Sequence, residues 1–106
     1  MDFWKSALEG VEVNFNFVWD SKKARKNKLK HGVSFEEALS VFADPLAKIF
    51  DDEEHSAVER REIIIGHSEQ RRLLLVSFMD KENSVRIISA RKATRQERED
   101  YEENVA

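Results

Sequence analysis

The 106-residue sequence contains no cysteine, and that single absence removes a disulfide framework, a thiolate metal cluster and a thiol nucleophile together. Proline occurs once, at Pro45, and glycine three times, so there is no low-complexity linker at which the chain would divide and no glycine-rich loop of the kind that cradles nucleotide phosphates. Neither a signal-peptide pattern nor a long uncharged apolar stretch is present, which points to a bacterial-type cytoplasmic setting with no membrane partner.

Against these absences stand apolar residues at 41% and charged residues at 37%, enough for a packed interior beneath a densely charged surface, and a length that suits one domain over 1–106. Residues 1–12 show no clean period and read as a variable N-terminal arm ahead of a domain spanning 13–106. The formal net charge of -3 argues against a bulk polycation that coats nucleic acid. Distribution matters more: "SKKARKNKLK" carries Lys22, Lys23, Arg25, Lys26, Lys28 and Lys30 without one acid, whereas "DDEEHSAVE" and "EREDYEE" are acid-rich. A local basic surface on an acidic protein suits a phosphate ligand.

Alternation of Val13, Phe15, Phe17 and Trp19 has the period of a half-buried strand. Asp20 or Ser21 can cap a following helix over about residues 21 to 31, ended by Gly32. Ser34 and Glu37 have capping-box spacing, and Phe35, Ala38, Leu39 and Phe42 repeat at helical intervals until Pro45 forbids continuation. "LAKIFD", "REIIIGHS", "RRLLLVSFMD" and "SVRIISARKA" read as four strands joined by short polar turns, and Thr94 with Glu97 opens a terminal helix. The expected order is β-α-α-β-β-β-β-α, an α+β domain with a mainly antiparallel sheet. Two helices cover one face of that sheet, which leaves room for a cleft on the other.

The segments "FVWDSKKARKNKLKHGVSFEEALSVFADP", "DDEEHSAVERREIIIG" and "RIISARKATRQEREDY" together resemble the BrnT toxin family, over most of the chain but not residues 1–12. The resemblance implies a fold like that of RelE-type ribonuclease toxins. It also implies an RNA-cleaving toxin of a type II toxin-antitoxin system that inhibits translation. The implied partner is a BrnA-like ribbon-helix-helix antitoxin, encoded alongside the toxin and repressing their operon, so that operator DNA is met only through the antitoxin.

Cleaving RNA without a metal requires a base for the 2′-hydroxyl proton, cations for the phosphorane charge and an acid for the 5′-oxygen. His55, Glu59 and Arg61 lie in one short stretch, with Glu59 and Arg61 on one face of an extended segment; a solvated acidic loop with a surface ion pair is the competing reading. The stretch lacks the fixed spacing of a zinc motif, and no metal or other cofactor is expected. In the last strand, simple alternation puts Ser89 and Arg91 on one side and Arg86 on the other, so both arginines serve one site only if a bulge or twist re-aims one of them. Arg91 has room to reach a cleft, and Arg86 reads as the partner of a carboxylate.

Among supporting candidates, His31 suits a helix C-terminus as well as proton transfer, and Tyr101 suits core packing as well as a hydroxyl turned to the cleft. Lys22, Lys26 and Lys30 are candidates for the RNA backbone, and Trp19 for base stacking or core. The functional expectation is an endoribonuclease in which Arg61 and Arg91 hold the phosphate while Glu59 or His55 moves protons. A non-catalytic protein- or DNA-binding module is the alternative, because no motif in the chain compels an enzyme.

Overall fold

The computed structural model describes residues 16–55 and 59–105, so the N-terminal arm and the alternation at Val13 and Phe15 lie outside the described residues. The elements, in chain order, are β1 (Asn16–Val18), α1 (Ser21–His31), α2 (Phe35–Ser40), β2 (Lys48–Asp51), β3 (Glu62–His67), β4 (Leu73–Lys81), β5 (Ser84–Lys92) and α3 (Arg95–Val105). Single 3-10 turns at Val41–Ala43 and Glu53–His55 flank β2. The sheet order is β1-β5-β4-β3-β2, antiparallel throughout except for β1, which runs parallel to β5. This is an α+β fold with a mostly antiparallel sheet.

The helix ends follow from local chemistry. Asp20 accepts hydrogen bonds from the amides of Lys22 at 2.8 Å and Lys23 at 3.0 Å. Gly32 ends α1 at φ 70°, the left-handed region that a side chain resists, and its amide donates to the Lys28 carbonyl. Helix α2 is shorter than its apolar periodicity implies, since the chain tightens into the 3-10 turn before Pro45. Only half of the expected capping box forms there: Ser34 Oγ accepts from the Glu37 amide at 3.0 Å, but the Glu37 side chain turns inward. It accepts from Ser68 Oγ at 2.7 Å and from Arg72 Nε at 2.8 Å, and Arg72 Nη2 reaches both its other oxygen and the Gly32 carbonyl.

One sheet face packs on α1 and α2. Val33, Phe35, Ala38 and Val41 meet Ile64, Leu74, Val76, Phe78, Val85, Ile87 and Ala90 in the main core, with Trp19 packed against it and edge-on to Phe35 at 6.0 Å. Asn27, buried on α1, bonds α1 to β5: its amide nitrogen donates to the carbonyls of Val33 and Ala90, and its oxygen accepts from the Ala90 amide. Each of these bonds contributes about 1 kcal/mol, and each would strand a buried group if Asn27 were lost. The opposite face carries a smaller cluster, in which Tyr101 of α3 covers Ile65, Leu73 and Leu75 and donates its hydroxyl to the Leu46 carbonyl at 3.2 Å. Gly66 lets β3 pass beneath the Pro45 turn, since a Cβ there would stand 2.8 Å from that of Ala47.

A β-bulge corrects the count along β5. Ser77 faces Ser89, but the next residue of β4, Phe78, faces Ile87, so Ile88 is the extra residue. Val85 and Ile87 therefore share the helix side with Ala90, although their numbers differ in parity from it. Arg86 is thereby delivered to the same face as Ser89 and Arg91. The expectation that the two arginines lie on opposite faces is overturned by that single inserted residue.

Candidate active site

On the sheet face away from α1 and α2, a cleft of about 320 Å³ is lined by Asp52, Glu54, His55, Arg61, Ile63, Leu75, Ser77, Ser89 and Arg91. Strand register builds its floor. Ile63, Ser77 and Ser89 form one cross-strand row, and Ile65, Leu75 and Arg91 form the next. The 3-10 turn Glu53–His55 forms the wall beyond β2, and Arg61, just ahead of β3, shares the cleft face with Ile63.

His55 is oriented by a carboxylate: its Nδ1 lies 3.1 Å and 3.2 Å from the two oxygens of Asp52. That contact leaves Nε2 as the ring nitrogen for chemistry in the cleft. The Asp52 amide in turn donates to the Arg61 carbonyl at 2.9 Å, which ties the turn to the start of β3. Arg91 is held by a fork-to-fork pair with Glu97, Nη1 to Oε1 at 2.8 Å and Nη2 to Oε2 at 2.9 Å. Glu97 also completes a reciprocal capping box with Thr94, through bonds of 2.8 Å and 3.1 Å. Its carboxyl is held down to about 2, first by the Arg91 hydrogen bond and then, against the opposing effect of burial, by the Thr94 amide.

That depression has a sign. Glu97 binds a proton less readily in the folded chain than at its ordinary value of 4.5, so its stabilising effect is complete above that pH and fades as the pH falls toward 2. With both partners partly exposed, Glu97→Gln is expected to lower stability by about 1–2 kcal/mol at pH 6. Urea titrations of both proteins should show the gap narrowing between pH 5 and pH 2, and a gap independent of pH would refute the linkage.

The structure brings His55, Arg61 and Arg91 into one cleft and leaves the other candidates elsewhere. Glu59 is exposed on the same side but does not line the cleft; its Oε2 accepts from Lys81 Nζ at 2.7 Å, and that bond lowers its pKa, with further help from the charges of Arg86 and Arg61. Tyr101 is buried, and its hydroxyl pKa is raised by that burial and by Asp44. Trp19 is part of the packing against the core, while Lys22, Lys26 and Lys30 are exposed on α1, across the sheet from the cleft, and His31, half-buried, ends the same helix. Sequence reasoning missed Asp52, Glu54, Ser77 and Ser89. The two serines carried a signal, as polar residues within the apolar runs "LLLVSF" and "RIISA".

A family model described as "Ribonuclease toxin, BrnT, of type II toxin-antitoxin system" matches residues 19–97. The chain belongs to the BrnT family. A crystal structure of the Brucella abortus ribonuclease toxin, BrnT, is similar to it with a TM-score of 0.57 and 26% sequence identity, covering 76% of this chain and 99% of that one. No curated protein matches the chain. Membership of this BrnT family implies a cognate antitoxin as partner. Among the described residues, no helix is long and apolar enough to cross a membrane.

Proposed function

We propose that this chain is a RelE-type endoribonuclease that cuts single-stranded or ribosome-associated RNA without a metal ion and thereby inhibits translation. The observation that carries the reading is the convergence of a carboxylate-oriented imidazole, His55, with two guanidinium groups, Arg61 and Arg91, on one open cleft.

In this mechanism the scissile phosphate lies between Arg61 and Arg91, over the hydroxyls of Ser77 and Ser89. His55 Nε2 takes the proton from the 2′-hydroxyl as that oxygen attacks phosphorus. The arginines and serine hydroxyls donate to the non-bridging oxygens, where negative charge grows in the phosphorane. The P–O5′ bond breaks and the leaving oxygen takes a proton from solvent, giving a 2′,3′-cyclic phosphate and a 5′-hydroxyl. Glu59, engaged with Lys81 outside the cleft, is a weaker candidate for the base than His55.

A ribbon-helix-helix antitoxin of the BrnA kind would neutralise the toxin by laying a segment over the cleft, with acidic side chains on Arg61 and Arg91, and would carry the pair to operator DNA. The toxin alone, at net charge -3, neutralises too few phosphates to bind that DNA well. The test of the enzymatic reading is incubation of the purified protein with single-stranded RNA in excess EDTA. Fragments ending in 2′,3′-cyclic phosphate are expected, and RNA left intact in EDTA but cut after added divalent metal would overturn the mechanism.

A further inference from the structure

The bulge at Ile88 does more than reposition one arginine: it extends the cationic face past the cleft. Beyond the row of Ile63, Ser77 and Ser89, the next cross-strand pair is Met79 with Arg86, and the one after it is Lys81 with Ser84. Successive same-face positions on a strand are about 6.6 Å apart, so Arg86 and Lys81 continue the line from Arg91 through the serines at steps matched to a polymer backbone. Arg61 stands between the two groups, lining the cleft while contributing its charge to the field at Glu59.

Glu59 engages this second group through Lys81. Its Oε2 accepts from Lys81 Nζ at 2.7 Å, both side chains are about half exposed, and Arg86 and Arg61 act on the same carboxyl. Asp20, from the neighbouring α1 cap, also feels Arg86, but its carboxylate is engaged by the Lys22 and Lys23 amides. A singly charged carboxylate bonded to Lys81, in the field of Arg86 and Arg61, is an anion that an RNA phosphodiester could displace.

We propose that Lys81 and Arg86, beside the Arg61 of the cleft, form a second phosphate subsite for the RNA strand that passes through the cleft, and that Glu59 fills it in the RNA-free protein and swings out on binding. The inference rests on that part of the proposed function by which the cleft binds an RNA strand, and it gives that site a direction: the strand runs along β4 and β5 and not across them. It also gives Glu59 a role as a placeholder anion in place of the catalytic one.

The experiment uses 2′-O-methyl oligonucleotides, which cannot be cut by attack of the 2′-oxygen, and reads affinity by fluorescence anisotropy over a range of salt. A dinucleotide, with its single phosphate, is compared with a hexanucleotide. Glu59→Gln is expected to tighten hexanucleotide binding about 3–10-fold, since a competing charge is gone. Lys81→Ala with Arg86→Ala should weaken the hexanucleotide about tenfold more than the dinucleotide and reduce the slope of log K against log salt by about 0.7–1.4. Arg86→Lys, which keeps the charge, should retain most of the hexanucleotide affinity. Equal losses for both lengths, or no gain from Glu59→Gln in a protein that melts normally, would overturn the subsite. Cleavage of unmodified RNA by the same preparations is scored separately: binding with this pattern but without cleavage would sink the ribonuclease reading and leave the subsite standing.

Discussion

His55→Ala is expected to reduce kcat on single-stranded RNA by about 10²–10⁴-fold while KM changes little, because the proposed mechanism loses its proton acceptor but keeps Arg61 and Arg91. The imidazole is exposed and belongs to a short 3-10 turn outside both apolar clusters, so its removal should leave the folded yield intact. Asp52→Asn keeps the imidazole but replaces the carboxylate that orients it, and a smaller loss is expected there. Arg91→Ala should instead raise KM and lower kcat together, since in the proposed mechanism phosphate binding and phosphorane stabilisation both use that guanidinium. Growth arrest on expression provides the cellular readout. Arrest that persists undiminished in His55→Ala and Arg91→Ala, at unchanged folded yield, would transfer the function to binding alone.

The largest effect on stability is expected at Arg72. The side chain of Glu37 is 1% exposed, and its ionised form is sustained first by the Arg72 hydrogen bonds and then, against the opposing effect of burial, by Ser68. Arg72→Ala leaves that carboxylate buried with Ser68 as its remaining partner, at a cost of about 3–5 kcal/mol near neutral pH. The sign with pH follows. In the parent the Glu37 pKa is depressed, so its contribution is present above the ordinary carboxylate value and fades in acid. In Arg72→Ala burial dominates and favours the neutral acid, so the variant should regain part of its deficit as the pH falls toward 5. Chemical unfolding of both proteins at pH 5 and pH 8 measures this. A deficit under about 1 kcal/mol, or one that grows in acid, would contradict the buried pair. Replacing both partners, as Glu37→Met with Arg72→Met, should do less damage than Arg72→Ala alone, because no charge is left stranded.

What the sequence disclosed and what it withheld divide along a physical line. Caps and breakers are local, so Asp20, Gly32, Ser34 and the Thr94–Glu97 box could be read from a few neighbouring residues, and α1 begins and ends where they indicate. The apolar runs announced β3, β4 and β5, and the motif at His55 and Arg61 pointed to residues that meet in the cleft. Alternation failed at Arg86 because counting by twos assumes an unbroken ladder, and the bulge is set by pairing with β4, which no local pattern encodes. Glu37 has the spacing of a capping residue, but its partners Ser68 and Arg72 are more than thirty positions away. Asp52 went unnoticed for a related reason: in a run of acids, only the fold of the 3-10 turn distinguishes the one that faces His55.

The parallel pairing of β1 with β5 joins Asn16 to Ser84, whereas β3, β4 and β5 are linked to one another by tight turns. Closing a long loop before any contact rewards it is slow and entropically costly, while neighbouring hairpins close within microseconds. The meander is therefore expected to form early, and β1 to dock onto its edge late. Arg61, Lys81, Arg86 and Arg91 all lie on or immediately beside that meander, so the proposed phosphate-binding face is expected to take shape before the chain has finished folding. Transient detachment of β1 would bare the edge of β5 without dispersing those cations.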